Sequence, residues 1–451
     1  MRHRLRSMML AAVLSVAMLT VSGCGFTLSP QDLYSLPKLP PEYTELDEQI
    51  DQLLASGAEN APPASGNNTQ PVQMWDLDGD GQEEAIVFLR DPSDEKPLKI
   101  YIFTPEGESY EQTALIEGSG TGFYSINYSD LDRDGYTELL VGWRVNTDLQ
   151  ALSVYSLRSG APEELMSTYY VRYAVMDLDQ DQMQELVVLR SDDENNGLAD
   201  HYDWQDSGLV SRTSIRISVT MAELNQQGRV TQGALRDGEP ALFITGVDDE
   251  TSTSITDILA LRNGELTNLA LSDATGVSGE IASFQGLYPT DIDGDGTTEV
   301  PRTIALQLGG AEESADRRTD WYDYDAAGSA QRVMSTYHDT DDGWYLRLPE
   351  EWEDQITVSR STAPDEAVVT FSILQPDGQP PKEFLKIYTF TGSSRELKVG
   401  YGNRFSLSRQ TSTIYAAELL EANSAWAYGV TEDQVRDAFS LITSTDWGAD
   451  N

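Results

Sequence analysis

Four short acidic loops carry the side chains whose types and spacing best suit chemistry. Each loop has carboxylates at positions 1, 3, 5 and 9 and runs directly into an apolar stretch, as in DLDGDGQEE from Asp76 to Glu84. Carboxylates this close in sequence repel one another unless a cation lies between them. Hard oxygen ligands on a flexible loop suit Ca²⁺, and the main-chain carbonyl at position 7 adds a further ligand. The loops therefore predict up to four Ca²⁺ sites.

We name each loop by its first residue. The predicted ligands at positions 1, 3, 5, 7 and 9 are Asp76, Asp78, Asp80, Gln82 and Glu84 in the Asp76 loop; Asp130, Asp132, Asp134, Tyr136 and Glu138 in the Asp130 loop; Asp177, Asp179, Asp181, Met183 and Glu185 in the Asp177 loop; and Asp291, Asp293, Asp295, Thr297 and Glu299 in the Asp291 loop. Position 6 needs a sharp reversal, which glycine supplies because it tolerates positive φ. Gln182 occupies that position in the Asp177 loop, which predicts strain or weaker binding there.

A fifth copy of the loop has lost most of its carboxylates. This Gly233 segment (residues 233–241) keeps Asp237, Gly238 and the apolar stretch that follows. With a single carboxylate remaining at the ligand positions, it is predicted to bind no metal.

Two other interpretations of the loops fail on the sequence. An EF-hand loop needs a bidentate glutamate at position 12 and flanking helices. Position 12 of the Asp76 loop is Val87, and apolar strand patterns flank all four loops. A solvated acidic turn explains one such loop, but not four that share a glutamate at position 9.

The loops mark an internal repeat whose copies begin 47 to 58 residues apart. Each loop leads into an apolar strand, an alternating strand, a glycine turn and another strand. A repeat of about 50 residues made of strands and turns is typical of one β-propeller blade. One blade cannot bury both of its faces, so it must stack on its neighbours. The sequence predicts a mainly β protein with a propeller-like array of about five blades over residues 71–337.

The pattern D-x-D-G-D-G-x-x-E followed by an apolar strand resembles the FG-GAP/VCBS repeat, the calcium-loop blade motif of integrin α-chain propellers and of many bacterial surface proteins. The whole layout is similar to an uncharacterised family of VCBS-type lipoproteins of Gram-positive bacteria. The resemblance covers roughly residues 70–337 and implies a propeller stabilised by structural Ca²⁺. Integrin propellers have seven blades, whereas this sequence shows five repeat units.

The N-terminus has the pattern of a processed signal, predicted for residues 1–23. A basic start with Arg2, Arg4 and Arg6 precedes an apolar stretch, which ends at Val21-Ser22-Gly23-Cys24. This ending resembles the lipobox of bacterial lipoproteins and implies a lipid on Cys24; ordinary secretory cleavage near Gly23 is the alternative. The chain has a single cysteine, so it has no intramolecular disulfide. The expected location is the extracytoplasmic face of the cell membrane, anchored by that lipid.

Two further segments flank the repeats. Residues 24–70 are predicted to form a tether with one amphipathic helix over Glu42–Ser56, docked on the body of the protein. Residues 338–451 are predicted to form a separate α+β domain. Its predicted elements include a strand at residues 396–402 (ELKVGYG) and a helix over Thr431–Thr443 that starts with a Thr431–Gln434 capping box.

The charge balance excludes nucleic acid as a partner. The chain has 75 acidic and 30 basic residues, a formal net charge of −45. Such a surface repels polyanions.

The sequence carries no recognisable catalytic motif. His201 and His338 have no cysteine nucleophile or G-x-S-x-G serine to activate, and the chain has no P-loop or HExxH motif. His201 is expected in a strand. His338 lies beside Asp339, Asp341 and Asp342, which form either an inter-domain turn or a fifth metal site.

Two classes of function stay open. The first is a calcium-stabilised binding or scaffold protein without catalytic residues, whose partner at the cell envelope is a protein or a glycan. The second is an extracellular carbohydrate-active hydrolase or lyase with a carboxylate site on the propeller. The aromatic residues suit either a core or sugar stacking; they are Trp143, Trp204, Trp321, Tyr322 and Tyr324. We expect the first class, and no enzyme.

Overall fold

The computed structural model describes residues 43–442, except residues 108, 206–207, 273, 308–312 and 377–378. Antiparallel sheets make up most of it, which confirms the predicted mainly β fold class. The predicted signal, Cys24 and the first part of the predicted tether (residues 24–42) lie outside the described residues.

The first three sheets share one plan of antiparallel strands paired in chain order. Helix α1 (Thr44–Ala55) precedes them. Sheet 1 contains β1 (Glu59–Asn60), β2 (Val72–Trp75), β3 (Glu84–Arg90), β4 (Leu98–Glu106) and β5 (Ser109–Gly118), with both β1 and β2 paired to β3. Sheet 2 contains β6 (Gly122–Ser129), β7 (Glu138–Arg144), β8 (Gln150–Ser156) and β9 (Glu163–Tyr170). Sheet 3 contains β10 (Arg172–Met176), β11 (Glu185–Ser191), β12 (Gly197–Gln205) and β13 (Gly208–Ile217).

Sheets 4 and 5 vary this plan. Helix α2 (Met221–Gln226) starts with a Thr220–Glu223 capping box and leads into sheet 4. Sheet 4 contains β14 (Arg229–Ala234), β15 (Pro240–Asp248), β16 (Thr253–Arg262) and β17 (Glu265–Asn268), and β18 (Glu280–Ser283) also pairs with β16. Sheet 5 contains β19 (Val300–Gln307), β20 (Glu313–Tyr324), β21 (Ala330–Asp339) and β22 (Trp344–Leu348).

A short 3₁₀ turn (Glu350–Trp352) leads from sheet 5 to a sixth sheet. Its elements are, in chain order, β23 (Ile356–Ala363), β24 (Glu366–Ile373), β25 (Lys382–Phe390), α3 (Arg395–Val399), β26 (Phe405–Arg409) and β27 (Ile414–Leu419). Its strands pair in the order β23-β24-β25-β27-β26. The chain continues through α4 (Glu421–Ala425) and α5 (Glu432–Ala438) into β28 (Phe439–Leu441), which returns to pair with β22 of sheet 5.

In each of the first three sheets, the strand that follows the acidic loop is buried without alternation. In β3, β7 and β11, the first five residues or more are all buried. A strand with both faces covered needs apolar side chains at successive positions. The continuous apolar stretch after each of these loops therefore identifies a strand that is covered on both faces, by two neighbouring sheets at β7 and β11 and by helix α1 and sheet 2 at β3.

The hydrophobic clusters join each sheet to the next one in chain order, from sheet 1 to sheet 6. Helix α1 covers the outer face of sheet 1, where Leu46 and Ile50 pack with Val87 and Leu89. At the other end, sheet 6 packs on sheet 5. Terminal units of a stacked array need such covers because their outer faces have no neighbouring blade.

Several predictions about the flanking segments are settled by these elements. The helix expected over Glu42–Ser56 is confirmed as α1. The helix expected over Thr431–Thr443 starts with the predicted capping box but ends at Ala438, since the next three residues pair with β22. The strand expected at residues 396–402 is wrong: Arg395–Val399 is helical.

The boundary expected between residues 337 and 338 falls inside β21. Sheet 5 continues across this point through β22 and β28. Among the described residues, no helix is both long and apolar enough to cross a bilayer.

Candidate metal loops

The four acidic loops occupy the same place in their sheets. The Asp76, Asp130 and Asp177 loops connect β2 to β3, β6 to β7 and β10 to β11, and the position-9 glutamate begins the strand that follows each loop. The Asp291 loop precedes β19, and Thr290 and Glu299 form an isolated β-bridge at its base. Strand pairing therefore fixes the two ends of each loop.

Main-chain N–H groups turn the carboxylates toward the inside of each loop. In the Asp76 loop, Gly79 and Gly81 donate to Asp76 at 2.8 and 3.0 Å, and Leu77 donates to Glu84 Oε2 at 2.8 Å. Two of these bonds recur in all four loops, from position 6 to position 1 and from position 2 to position 9. The recurring bonds give the loops one backbone conformation.

Each position-9 glutamate uses one carboxylate oxygen in this way, and three of them leave the other buried without a partner. The unpartnered atoms are Glu84 Oε1, Glu185 Oε1 and Glu299 Oε1, whose residues are at most 3% exposed. Asp130 Oδ1 and Asp177 Oδ1 are also buried without a partner. A buried charged oxygen without a partner is costly. A cation held by these oxygens removes that cost, so the residues fit a metal ion.

The predicted ligands converge in part. One oxygen from each of three residues lies within 4.8 Å of the others in every loop; the groups are Asp76, Asp78 and Glu84; Asp130, Asp132 and Glu138; Asp177, Asp179 and Glu185; and Asp291, Asp293 and Asp295. The position-5 carboxylates Asp80, Asp134 and Asp181 are outside these groups, and all four position-5 carboxylates accept the N–H of position 7. Binding at these residues stays a prediction.

Burial shifts the titration of these carboxyl groups. Burial raises the pKa of Glu138, Glu185 and Glu299 to about 7, and neighbouring aspartates add to the rise while the position-2 N–H opposes it. Burial also raises the pKa of Glu84. A bound cation acts in the opposite direction because it favours the ionised form.

Two positions of each loop adopt positive φ. Position 6 does so in Gly81, Gly135 and Gly296, as predicted, and Gln182 is forced to +82°. Position 4 was not predicted: its φ is +72° at Gly79 and +56° at Arg133, for example. The sequence signal for position 4 was the glycine that the Asp76 and Asp291 loops share there.

Neighbouring loops are hydrogen-bonded to one another along one edge of the stack. The position-8 N–H donates to the position-2 carbonyl of the preceding loop: Thr137 to Leu77 at 2.8 Å and Gln184 to Leu131 at 2.8 Å. Thr298 donates to Ala234 of the Gly233 segment in the same way, at 2.9 Å. Position 8 of the Gly233 segment is Pro240, which has no N–H. The row of bonds is therefore interrupted between the Asp177 loop and the Gly233 segment.

A second inter-loop contact runs from position 4 to position 6 of the next loop. A Cβ built on Gly79 lies 2.6 Å from the carbonyl oxygen of Gly135. Arg133 donates to Gln182 Oε1 at 2.6 Å, so the residue that replaces a loop glycine is held by the preceding loop. Gln180 donates to the Gly238 carbonyl at 3.3 Å.

The Gly233 segment has an arginine among its remaining polar groups. Arg236 pairs with Asp323 at 2.6 Å and with Asp325 at 2.9 Å. The one retained carboxylate, Asp237, accepts the Ala326 N–H at 3.0 Å. These contacts attach sheet 4 to the β20–β21 turn without a metal ligand set.

The acidic turn after His338 has its own counter-ion. Arg360 reaches Asp339 at 3.3 Å, Asp341 at 2.7 Å and Asp342 at 3.0 Å. Arg360 lies on β23, so the contact joins sheet 6 to the β21–β22 turn. A structural turn accounts for these residues better than a fifth metal site.

The two histidines among the described residues lie in strands. His201 lies in β12, as predicted, and burial lowers its pKa. The His338 ring stacks on Tyr345 with ring centroids 5.0 Å apart, Nε2 lies 2.9 Å from Thr336 Oγ1, and burial lowers the pKa to about 3. Of the five aromatic residues that suited either a core or a sugar site, four are buried (Trp143, Trp204, Trp321 and Tyr324) and Tyr322 packs partly buried beside them.

One cavity of about 440 Å³ lies between β21, β22 and α5. Trp352 and Val435 line it with Arg332 and Arg347, and none of its lining residues belongs to a metal loop. Arg332 is neutralised by Glu353 at 3.0 Å.

The fold and loops together define a mainly β, propeller-like protein with acidic loops at the starts of its blades. Residues 76–141, which contain the Asp76 and Asp130 loops, match the FG-GAP-like repeat. No curated protein matches the chain. Among solved structures, a rhamnogalacturonan lyase of Bacillus licheniformis is 12% identical over 71% of this chain and 76% of its own, with a TM-score of 0.29. TolB from Acinetobacter baumannii is 12% identical over 66% of this chain and 64% of its own, with a TM-score of 0.23.

Proposed function

We propose that the protein is an extracytoplasmic binding or scaffold module stabilised by structural Ca²⁺ in its four acidic loops. The observation that carries the calcium proposal is the unpartnered, buried oxygen of the position-9 glutamate, present at Glu84, Glu185 and Glu299. Oxygen ligands on loops with fixed ends suit Ca²⁺ better than the softer transition metals.

The proposed role of the ion is structural because of where the loops lie. Each loop joins two paired strands of a sheet or closes the bridge at its base, and most loops contact the next loop in the row. The aspartates at positions 1 and 3 and the position-9 glutamate would hold the cation. Neutralising them supports blade pairing in a chain whose single cysteine forms no internal disulfide.

Thermal unfolding tests the calcium proposal. EGTA is expected to lower the melting temperature by several degrees, and millimolar Ca²⁺ to restore it, because a ligand that binds only the folded state stabilises it by mass action. Equal concentrations of MgCl₂ control for ionic strength and for non-specific divalent binding. An unchanged melt in EGTA would contradict a structural role for calcium.

The proposed location is the outer face of the cell membrane, through a lipid on Cys24. The lipobox pattern in the sequence supports this part of the proposal. Detergent-phase partitioning of the full-length protein, compared with a Cys24→Ala variant, tests it. The proposed partner is a protein or a glycan, and catalysis is not part of the proposal.

A further inference from the structure

One cation of the protein itself already lies against the Asp130 loop. Arg158 follows β8, and its Nη1 is 2.9 Å from Asp134 Oδ2 and 4.0 Å from Asp132 Oδ2. Among the residues that the structure describes, no other lysine or arginine forms an ion pair with a predicted ligand carboxylate of the four loops. The Asp130 loop therefore differs from the others in charge, although its backbone bonds are the same.

The two sides of this ion pair differ in exposure. The side chains of Asp132 and Asp134 are 8% and 18% exposed, whereas that of Arg158 is 59% exposed. Sheltered carboxylates are screened less by water and salt than exposed ones, so they attract a guanidinium more strongly. The long arginine side chain can return to solvent without uncovering a hydrophobic core.

We propose that Arg158 is a resident counter-ion that lowers the cation affinity of the Asp130 loop. The inference rests on the proposed calcium function. An incoming cation has to displace the guanidinium from Asp132 and Asp134, so the loop's apparent affinity falls with the fraction of molecules in which Arg158 occupies the carboxylates.

Beside two of the other loops, an arginine pairs with an aspartate that is not a predicted ligand. On the strand next to the position-9 glutamate, the Asp177 loop has Asp203 and the Asp291 loop has Asp323. Arg212 pairs with Asp203 at 3.7 Å and Arg236 with Asp323 at 2.6 Å. In both cases the ion-pair partner of the arginine lies outside the predicted ligand set, unlike the partners of Arg158.

Calorimetric titration of the metal-stripped full chain with CaCl₂ tests the proposal. The binding step that disappears in Asp130→Asn belongs to the Asp130 loop. In Arg158→Gln, the affinity of this step is expected to rise about three- to tenfold, the range of a partly sheltered ion pair. The conservative Arg158→Lys keeps the charge and is expected to remain close to the unsubstituted chain.

Arg409→Gln is the matched control. It removes the same charge from an arginine that is 51% exposed and pairs with Glu396 at 2.8 Å in the sixth sheet and its helix α3. An equal rise in affinity for Arg158→Gln and Arg409→Gln would show that the effect comes from the overall charge of the protein, and it would overturn the proposal. Weaker binding of calcium in Arg158→Gln would also overturn it. Absence of any calcium-binding step in the unsubstituted chain would contradict the calcium function itself. The failure of the calcium proposal and the failure of the Arg158 proposal therefore give different results.

Discussion

At the residue scale, the position-9 glutamate has a different energetic role with and without a cation. Glu185 is 1% exposed; Oε2 accepts the Leu178 N–H, while Oε1 and the nearby Asp177 Oδ1 have no partner. Without a metal, the two carboxylates face each other across a buried space. With a metal, the same oxygens become ligands. The glutamate is therefore unfavourable in the metal-free fold and favourable in the loaded one.

The effect of Glu185→Gln on the free energy of unfolding is accordingly expected to change sign between calcium-free and calcium-loaded protein. In EDTA, the amide donates to Asp177 Oδ1 and removes a buried charge, so the free energy of unfolding should rise by about 1 kcal/mol. In millimolar Ca²⁺, the variant lacks one charged ligand and should be less stable than the unsubstituted chain by at least as much. Denaturant unfolding in the two buffers measures both differences.

The gain in EDTA also has a defined pH dependence. The pKa of Glu185 in the fold is about 7, above the ordinary value of 4.5, so the folded state binds more protons than the unfolded state between these values. The full free-energy cost of burying the ionised Glu185 is therefore present above pH 7, and this cost is absent below pH 4.5. The advantage of Glu185→Gln should therefore be present at pH 8 and vanish by pH 5. The control is Glu194→Gln, which changes a side chain that is 84% exposed between two strands of the same sheet. Its free energy of unfolding should stay within about 0.5 kcal/mol of the unsubstituted chain at both pH values. A stability gain of Glu185→Gln that persists at pH 5 would contradict the electrostatic cause.

At the scale of the elements, the loops act as a row because they contact one another. Gly79 has φ +72° and faces the carbonyl oxygen of Gly135 in the next loop, with 2.6 Å between that oxygen and a built Cβ. Gly81 has φ +88° and has no neighbour within 4 Å of its built Cβ. The two glycines thus share a left-handed backbone but differ in the inter-loop contact.

Gly79→Ala and Gly81→Ala separate these two effects. Gly81→Ala is expected to cost about 1 kcal/mol, the backbone penalty of a side chain at positive φ. Gly79→Ala pays a similar penalty and also pushes the Asp76 and Asp130 loops apart, so its cost should exceed that of Gly81→Ala by about 1–3 kcal/mol. Unfolding in Ca²⁺ measures both. Equal costs for the two variants would show that the inter-loop contact carries no energy.

The sequence predicted the elements that local patterns specify. The acidic spacing located the loops, the unbroken apolar stretch after Glu84 predicted β3, and the helical periodicity around Leu46 and Ile50 predicted α1. The end of α5 was not predictable in this way, because Phe439 leaves helical periodicity to pair with Leu346, more than ninety residues earlier. Long-range pairing overrides the local preference there.

The inter-loop bonds and Arg158 were hidden from the sequence for the same reason. The bond from Thr137 to Leu77 joins residues in different blades, and its spacing depends on how two sheets stack. Arg158 reaches Asp134 because β8 pairs with β7, which places the end of β8 beside the loop that precedes β7. A pattern read along the chain locates each loop but not the contacts that the loop makes with residues distant in sequence.

At the scale of the whole molecule, the ion sites and the partner surface need not coincide. The clusters that join successive sheets account for the stacking, and the loops reinforce one edge of it. A structural ion changes binding only by changing how much of the protein is folded. An ion that contacts the partner directly changes binding even when the protein stays folded.

A pull-down from cell-envelope extract distinguishes these roles. Full-length protein on beads is loaded with Ca²⁺, exposed to extract at 4 °C, and washed with EGTA either at 4 °C or just above the melting temperature of the metal-free protein. If calcium is structural, the partner should survive the cold wash and be released in the warm one, because the cold metal-free protein remains folded. Beads carrying Glu185→Gln should retain the partner in the cold wash as well.

Release by EGTA at 4 °C, from a protein whose circular dichroism is unchanged, would instead place Ca²⁺ in the partner interface. A retained glycan whose reducing ends increase on the beads would replace the scaffold role with the carbohydrate-active one.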